Sequence, residues 1–225
     1  MSTPDTDAPA NAVIFDNDGV LVDSEPLHRI AWERTFGPRG VIVPEQDYEW
    51  SIGRRDLLFA ERMVDKFGMS EAPLAVRDEK HGHLRELLAT ESHAFEGGRQ
   101  LVRRLAAKYR MGIASSAMRA EILIALDRLG LDEVFDVIVT NEDVERHKPD
   151  PQPYVLCAGR LGVEPARCVV FEDSVTGVAS AKAAGMRVIA FTSTFTPGEL
   201  SAADAVVESL ADTDALVELV HLLQQ

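Results

Sequence analysis

From Gly97 onward the chain alternates short, β-rich apolar runs with helical stretches of about ten residues, and few architectures accept that alternation. A helix is predicted near Arg99–Lys108, then the run Met111–Ser116, then a helix over Glu121–Leu129 that stops at Gly130. Phe135–Val139 is β-rich, Pro151–Leu161 is helical up to Gly162, and Val169–Phe171 is a strand ending in Glu172-Asp173. Thr176–Ala184 is helical up to Gly185, Val188–Phe191 is a further strand, and Ala205–Val207 is a last one before a closing helix from Asp212. Strands joined by helices of this length connect through right-handed crossovers, which give a parallel sheet covered on both faces. The expected class is α/β, a Rossmann-like parallel sheet core with helices on both faces and an inserted α-helical cap domain.

The insertion follows the first apolar run, Ala12–Phe15. Ser24-Glu25-Pro26 reads as a helix start with Ser24 as cap, and Leu27, Ile30, Ala31 and Trp32 continue at helical spacing until Gly37. Arg55–Phe67 places Leu57, Ala60, Val64 and Phe67 on one face before Gly68, and a third helix is expected over Pro73–Glu91. No convincing strand interrupts residues 24–91. The expected division is a core of residues 1–22 and 92–225 with a helical cap of residues 23–91.

The chain has 225 residues and is 46% hydrophobic, enough to bury a full core. Residues 1–10 lack a basic start and an apolar stretch, so they read as a loose tail and not as a signal peptide. No apolar run approaches the roughly 18 residues of a membrane span. A soluble, cytoplasmic protein with no membrane partner is expected. The formal charge of −14 opposes nucleic-acid binding, which needs a basic stripe to displace counterions. The two cysteines, Cys157 and Cys168, read as core thiols that suit a reducing compartment.

Open parallel sheets bind ligands beyond the C-terminal ends of their strands, so the residues after each apolar run carry the functional argument. The first run ends in Asp16-Asn17-Asp18-Gly19. Asp18-Gly19 alone could mark a hairpin turn. The other tips decide otherwise: Ser115 and Ser116 follow the second run, Lys148 the third, and Glu172 and Asp173 the fourth. Carboxylates packed together at strand tips need a cation. The set fits phosphoryl transfer: Asp16 attacks phosphorus, and Asp18, its pKa raised by neighbouring charge, protonates the leaving oxygen and later activates water. Ser115 and Lys148 hold the phosphoryl oxygens, while Mg2+ sits on Asp16, Asp18 and Asp173, with Glu172 beside or among its ligands.

These motifs, in this order, resemble the haloacid dehalogenase (HAD) superfamily, specifically its magnesium-dependent phosphatases and phosphomutases with a helical cap. Asp16-Asn17-Asp18-Gly19-Val20 looks like the first motif, Ser115 the second, Lys148 in Lys-Pro-Asp-Pro the third, and Glu172-Asp173-Ser174 the fourth. The resemblance runs from Val13 to about Phe191. It implies a phosphorylated Asp16, a backbone carbonyl of Asp18 on magnesium, and a cap that opens and closes over a small phosphorylated metabolite.

Within that superfamily the β-phosphoglucomutase-like members are the near comparison. His28 matches a histidine shared by mutases and phosphatases, implying a hinge or proton relay, though a surface helix histidine reads equally well. Gly53-Arg54-Arg55-Asp56 falls at their substrate loop, with Asp56 where they carry an arginine for a second phosphate; Arg54 or Arg55 could substitute. Ala117 and Met118 replace a serine and a lysine of the mutase pattern. A phosphatase acting on a small organic phosphate monoester, a sugar phosphate or similar metabolite, is the favoured reading, and a hexose-phosphate mutase the alternative. A phospho-aspartate binding switch fits less well, because Asp18 would hydrolyse the acyl phosphate. Carbon–halogen cleavage would need neither Asp18 nor the Glu172-Asp173 pair. His81 and His83 read as a solvated helix face, and Trp32 and Trp50 either line the cap pocket or pack it.

Overall fold

The computed structural model describes residues 11–225; the expected tail over residues 1–10 lies outside the described residues. Six parallel strands, β1 (Ala12–Phe15), β2 (Arg110–Ala114), β3 (Val137–Val139), β4 (Cys168–Glu172), β5 (Arg187–Phe191) and β6 (Ala205–Val207), form one sheet in the order β3-β2-β1-β4-β5-β6. Between β1 and β2 run α1 (Glu25–Phe36), α2 (Glu45–Ser51), α3 (Asp56–Phe67), α4 (Pro73–Glu91) and α5 (Gly98–Ala106). The remaining α-helices are α6 (Arg119–Leu129), α7 (Gln152–Leu161), α8 (Val175–Ala183) and α9 (Thr213–Leu223). This is the expected α/β, Rossmann-like class. None of the described helices is long and apolar enough to cross a membrane.

The strands read as continuous apolar runs because both faces are covered. Val13, Phe15, Ile113 and Phe171 face one layer with Leu101, Leu126 and Val217 from α5, α6 and α9. Ile14, Val170 and Val188 face the other with Tyr154, Cys157 and Val178 from α7 and α8. Phe15 pairs in register with Phe171, and their rings stack with centroids 4.8 Å apart. Chain order reverses on either side of β1, so the crevice of the sheet opens at its C-terminal end.

The helical insertion has its own apolar cluster, in which Trp32, Phe36, Phe59 and Met63 are all buried. α4 joins two clusters. Its Val76 belongs to the insertion's core, whereas Leu84, Leu87 and Leu88 pack into the layer beneath the sheet.

Two local expectations change, and one helix that the sequence pattern does not announce, α2, is added. Ser24 precedes α1 without capping it, because its hydroxyl donates instead to Asp18 Oδ1 at 2.6 Å. α2 has no clean apolar period; it is pinned by Asp47, fully buried and paired with Arg62 and Lys66. β3 starts two residues later than Phe135, since Asp136 uses its carboxylate to take the Met111 N–H at 2.9 Å.

Gly112 lets α7 lie flat on β2, for a Cβ there would fall 2.6 Å from Cys157 Sγ and 3.0 Å from Leu161 Cδ1. Gly112→Ala is expected to lower stability by about 1–3 kcal/mol through overpacking. Urea unfolding should show a reduced midpoint with an unchanged m-value.

Candidate active site

The register of the sheet builds the site. One step beyond the paired Phe15 and Phe171 stand Asp16 and Glu172, and the Asp16 N–H donates to Phe171 O at 2.9 Å. Lys148, from the loop after β3, lies 3.2 Å from Asp16 Oδ1 and donates to Glu172 Oε1 at 2.7 Å. Tyr154 on α7 donates to the same Oε1 at 2.8 Å. Glu172 Oε2 accepts the Asp173 N–H at 2.9 Å, the Ser174 N–H at 2.9 Å and the Ser174 hydroxyl at 3.0 Å. A fully buried carboxylate with five donors anchors its neighbours. Two glycines make this packing possible. A Cβ at Gly177 would fall 1.6 Å from Glu172 Oε1, and one at Gly19, which sits at φ +74°, would fall 2.0 Å from Asp173 Oδ2.

Carboxylate oxygens of Asp16, Glu172 and Asp173 lie within 4.8 Å of one another, all buried. Burial pushes Asp16 up; Lys148 pulls it back, Glu172 and Asp18 push further, and the carboxyl comes to about 7. Burial also drives Asp173 well above the usual carboxylate range, reinforced by Glu172 and Asp16. Burial would raise Glu172 too, but Lys148 together with the Ser174 and Tyr154 hydrogen bonds overcomes it and holds Glu172 low. Burial would lower Lys148, and the charges of Asp16 and Glu172 raise it instead. One lysine among three acids leaves negative charge uncompensated. Hard oxygen donors at this spacing fit a divalent cation such as Mg2+.

Asp18 departs from expectation. Burial alone would raise it, yet His28, the Ser24 hydroxyl and Asn17 hold it at about 2. Its carboxylate turns toward Ser24 and toward His28 Nε2, 3.8 Å away, and takes no part in the acidic cluster. Of the two aspartates, Asp16 is the one raised, by burial first and then by the charges of Glu172 and Asp18. His28 is no surface histidine: its Nδ1 meets Lys80 Nζ at 2.9 Å.

Ser115, at the tip of β2, is 4% exposed and accepts the Ala117 N–H at 3.1 Å. Ser115, Ser116, Lys148 and Asp173 line one cavity of about 550 Å³ with Asp16, Asp18, His28, Arg54 and Arg55. Arg54 stacks on Trp50, its guanidinium 4.7 Å from the ring centroid, and bonds the Trp50 carbonyl. Trp32 lines the cavity and packs the insertion's core, so both expectations for it hold. Asp56 faces inward to Lys80 and His81.

Sequence reasoning missed several participants. Thr194 donates to Asp173 Oδ2 and Ser193 to the Gly19 carbonyl, both just past the tip of β5, where the strand-tip rule would have found them. Tyr154 and Lys80 carry no such signal, being interior residues of helices. His81 is the clearest correction: far from solvated, its side chain is 11% exposed and bonded to Glu121.

The match to known proteins is broad. A family model described as haloacid dehalogenase-like hydrolase matches residues 10–185. The phosphorylated carbohydrates phosphatase of Thermotoga maritima is 35% identical over 211 residues, covering 92% of this chain and 90% of that protein. The fructose-1-phosphate phosphatase YqaB of Escherichia coli K12 is 33% identical over 186 residues, covering 79% and 94%. The crystal structure of CbbY from Rhodobacter sphaeroides in complex with phosphate superposes with a TM-score of 0.80 at 26% identity, covering 90% of this chain and 96% of that one.

Two outcomes follow from the charge arrangement. Glu172→Gln places an amide against three donors and weakens a buried ion pair, so stability is expected to fall on the order of 3 kcal/mol in urea unfolding. For Asp16, the folded pKa of about 7 exceeds the unfolded value, so the folded state retains a proton that the unfolded state has lost. In chelator, wild-type stability should therefore drop relative to Asp16→Asn as pH rises from ~5 to ~7.5.

Proposed function

Since the chain belongs to the haloacid dehalogenase-like hydrolase family, we propose that it is a magnesium-dependent phosphatase that hydrolyses a small organic phosphate monoester through a phosphorylated Asp16. The observation that carries this reading is the convergence of Asp16, Ser115, Lys148 and Asp173 at the strand tips, inside one cavity roofed by α1 and the loop before α3. Asp16 lines the cavity with Lys148 3.2 Å away, whereas Glu172, nearer to that lysine at 2.7 Å, is fully buried and does not line it. In the first step Asp16 forms a bond to phosphorus and the ester oxygen leaves, taking a proton from Asp18. In the second, water attacks the same phosphorus, Asp18 takes its proton, the bond to Asp16 breaks and inorganic phosphate departs.

The low pKa of Asp18 keeps its carboxylate ionised, the form needed to take a proton in the second step. For the first step a bound phosphate must bring negative charge beside it and draw the carboxyl back toward neutrality. Ser115 uses its hydroxyl lone pair on the Ala117 N–H, which leaves its hydrogen for a phosphoryl oxygen. Lys148 offsets charge on Asp16 and on the transferring group. Asp16 and Asp173 would hold Mg2+, with the Asp18 carbonyl as the family implies. Glu172, engaged by five donors, positions Lys148 and Asp173 for that task. When bound, Mg2+ offsets the combined charge of phosphate and carboxylates.

We further propose that residues 23–91 act as a cap, and that the substrate is a sugar phosphate or similar metabolite. The relatives named for fructose 1-phosphate and phosphorylated carbohydrates support that class. Asp56, turned toward Lys80, supplies no cation for a second phosphate, Arg54 is held on Trp50, and with Ala117 and Met118 in place of mutase residues this favours release of phosphate over its return to product. A cytoplasmic setting suits the two buried free thiols.

Phosphate release from a panel of phosphomonoesters that includes fructose 1-phosphate and β-glucose 1-phosphate tests the reading. Release should require Mg2+, fall to background in Asp16→Asn, and drop about 10²–10⁴-fold in Asp18→Asn. Conversion of β-glucose 1-phosphate to an isomer with phosphate retained would establish the mutase instead. Absence of both reactions would overturn the proposal. Mg2+ should also raise the melting temperature of wild type and fail to do so in Asp173→Asn.

A further inference from the structure

A chain of buried polar groups runs through the helical insertion and touches the core at both ends. Lys80 on α4, fully buried, bonds Asp56 on one side and His28 Nδ1 at 2.9 Å on the other, and His28 Nε2 lies 3.8 Å from Asp18. The next residue, His81, points the other way. Its Nε2 is 3.6 Å from Asp56 Oδ2, and its Nδ1 bonds Oε1 of Glu121, the 2%-exposed acid in the first turn of α6. Glu121 Oε2 accepts the Met118 N–H at 3.2 Å, closing the turn that begins at Ser115. Asp56, Lys80 and His81 thus link Asp18 to the Ser115 turn across a helix of the insertion.

We infer that His81 is a positioning residue, clamping α4 to Glu121 so that the insertion, Asp18 and the Ser115 turn are held together over the substrate; this rests on the hydrolase reading above. The physical reason is the burial of Glu121. Drawn away from His81, its Oε1 loses its partner and must be hydrated, so the contact favours the closed arrangement. Below it, Leu84 and Leu88 of α4 and Ala125 and Leu129 of α6 belong to one apolar cluster. That contact is non-directional and can slide, whereas the His81–Glu121 bond fixes one position along it. Glu121 also closes the first turn of α6 through the Met118 N–H, a contact separate from His81, so loss of the clamp frees the insertion and leaves the Ser115 turn formed.

The test combines kinetics with a distance measurement. In His81→Leu, kcat/KM for the best ester substrate should fall about ten- to a hundredfold, the range for losing a hydrogen bond to a charged group. Hydrolysis of acetyl phosphate, which offers the insertion almost nothing to hold, should change by less than about threefold. His81→Asn, whose amide N–H can replace Nδ1, should recover most of the loss. Spin labels at Glu61→Cys on α3 and Glu218→Cys on α9, both exposed, should show one dominant distance in the parent and a broader, longer distribution when His81→Leu is added. The native cysteines are buried. Equal loss on ester and acetyl phosphate, no recovery in His81→Asn, or identical distance distributions would each overturn the clamp. Should the wild type hydrolyse no ester, the hydrolase reading fails by itself, and the spin-label distances still decide whether His81 holds the insertion.

Discussion

Three buried carboxylates share the C-terminal edge of β1 and β4 with a single lysine, and most of the surrounding architecture serves to keep them there. Like charges in a low-dielectric site repel strongly, so the folded chain holds them only by supplying donors and limiting their movement. Glu172 receives five hydrogen bonds, from Lys148, Tyr154, the Asp173 and Ser174 N–H groups and the Ser174 hydroxyl. Gly177 and Gly19 are forced by the same crowding, because any side chain at either would overlap an acid. What remains uncompensated is carried by Asp16 and Asp173, both driven up by burial and by their neighbours. The site is therefore strained electrostatically in the direction that a divalent cation relieves.

Two aspartates separated by one residue end in opposite conditions. Asp16 continues the strand line and enters the acidic cluster, where it rises to about 7. Asp18 lies past the point at which the chain turns, with Gly19 at φ +74°, and its carboxylate swings out to Ser24 and His28, which hold it at about 2. On an extended backbone residues two apart would share a face, so it is the turn closed on the Asn17 carbonyl that separates the two side chains. Paired acids that titrate far apart can divide the work of nucleophile and proton-transfer group.

The strand tips were legible in the sequence because each lies where an apolar run meets a charged or hydroxylic residue. Ala12–Phe15 and its Asp16-Asn17-Asp18, and Val169–Phe171 with its Glu172-Asp173, needed only the period of the sheet and the rule that ligands bind at its C-terminal edge. The helical insertion was legible as helix and opaque as chemistry. Lys80 and His81 stand in a stretch dominated by charge, Arg77 to Arg85, which by pattern belongs in solvent. Their burial depends on two helices distant in sequence, α1 and α6, arriving on opposite sides of α4. Ser24 illustrates the same limit at one residue. Every local rule makes it a helix cap, and a carboxylate six positions earlier claims its hydroxyl.

α4 connects the acids at the sheet edge to contacts outside the sheet. Its Leu84, Leu87 and Leu88 are core residues, Val76 belongs to the insertion, and Lys80 and His81 between them reach the two halves of the site. A helix with this division cannot tilt without altering both Asp18 and the Ser115 turn, because the contacts at Lys80 and His81 share Asp56 as a common partner. On the hydrolase reading proposed above, a substrate that fits beneath the insertion would stabilise both contacts at once, whereas a poor one would leave either acid free to hydrate. Selectivity of that kind arises from the energy of closing as much as from contacts with the substrate itself.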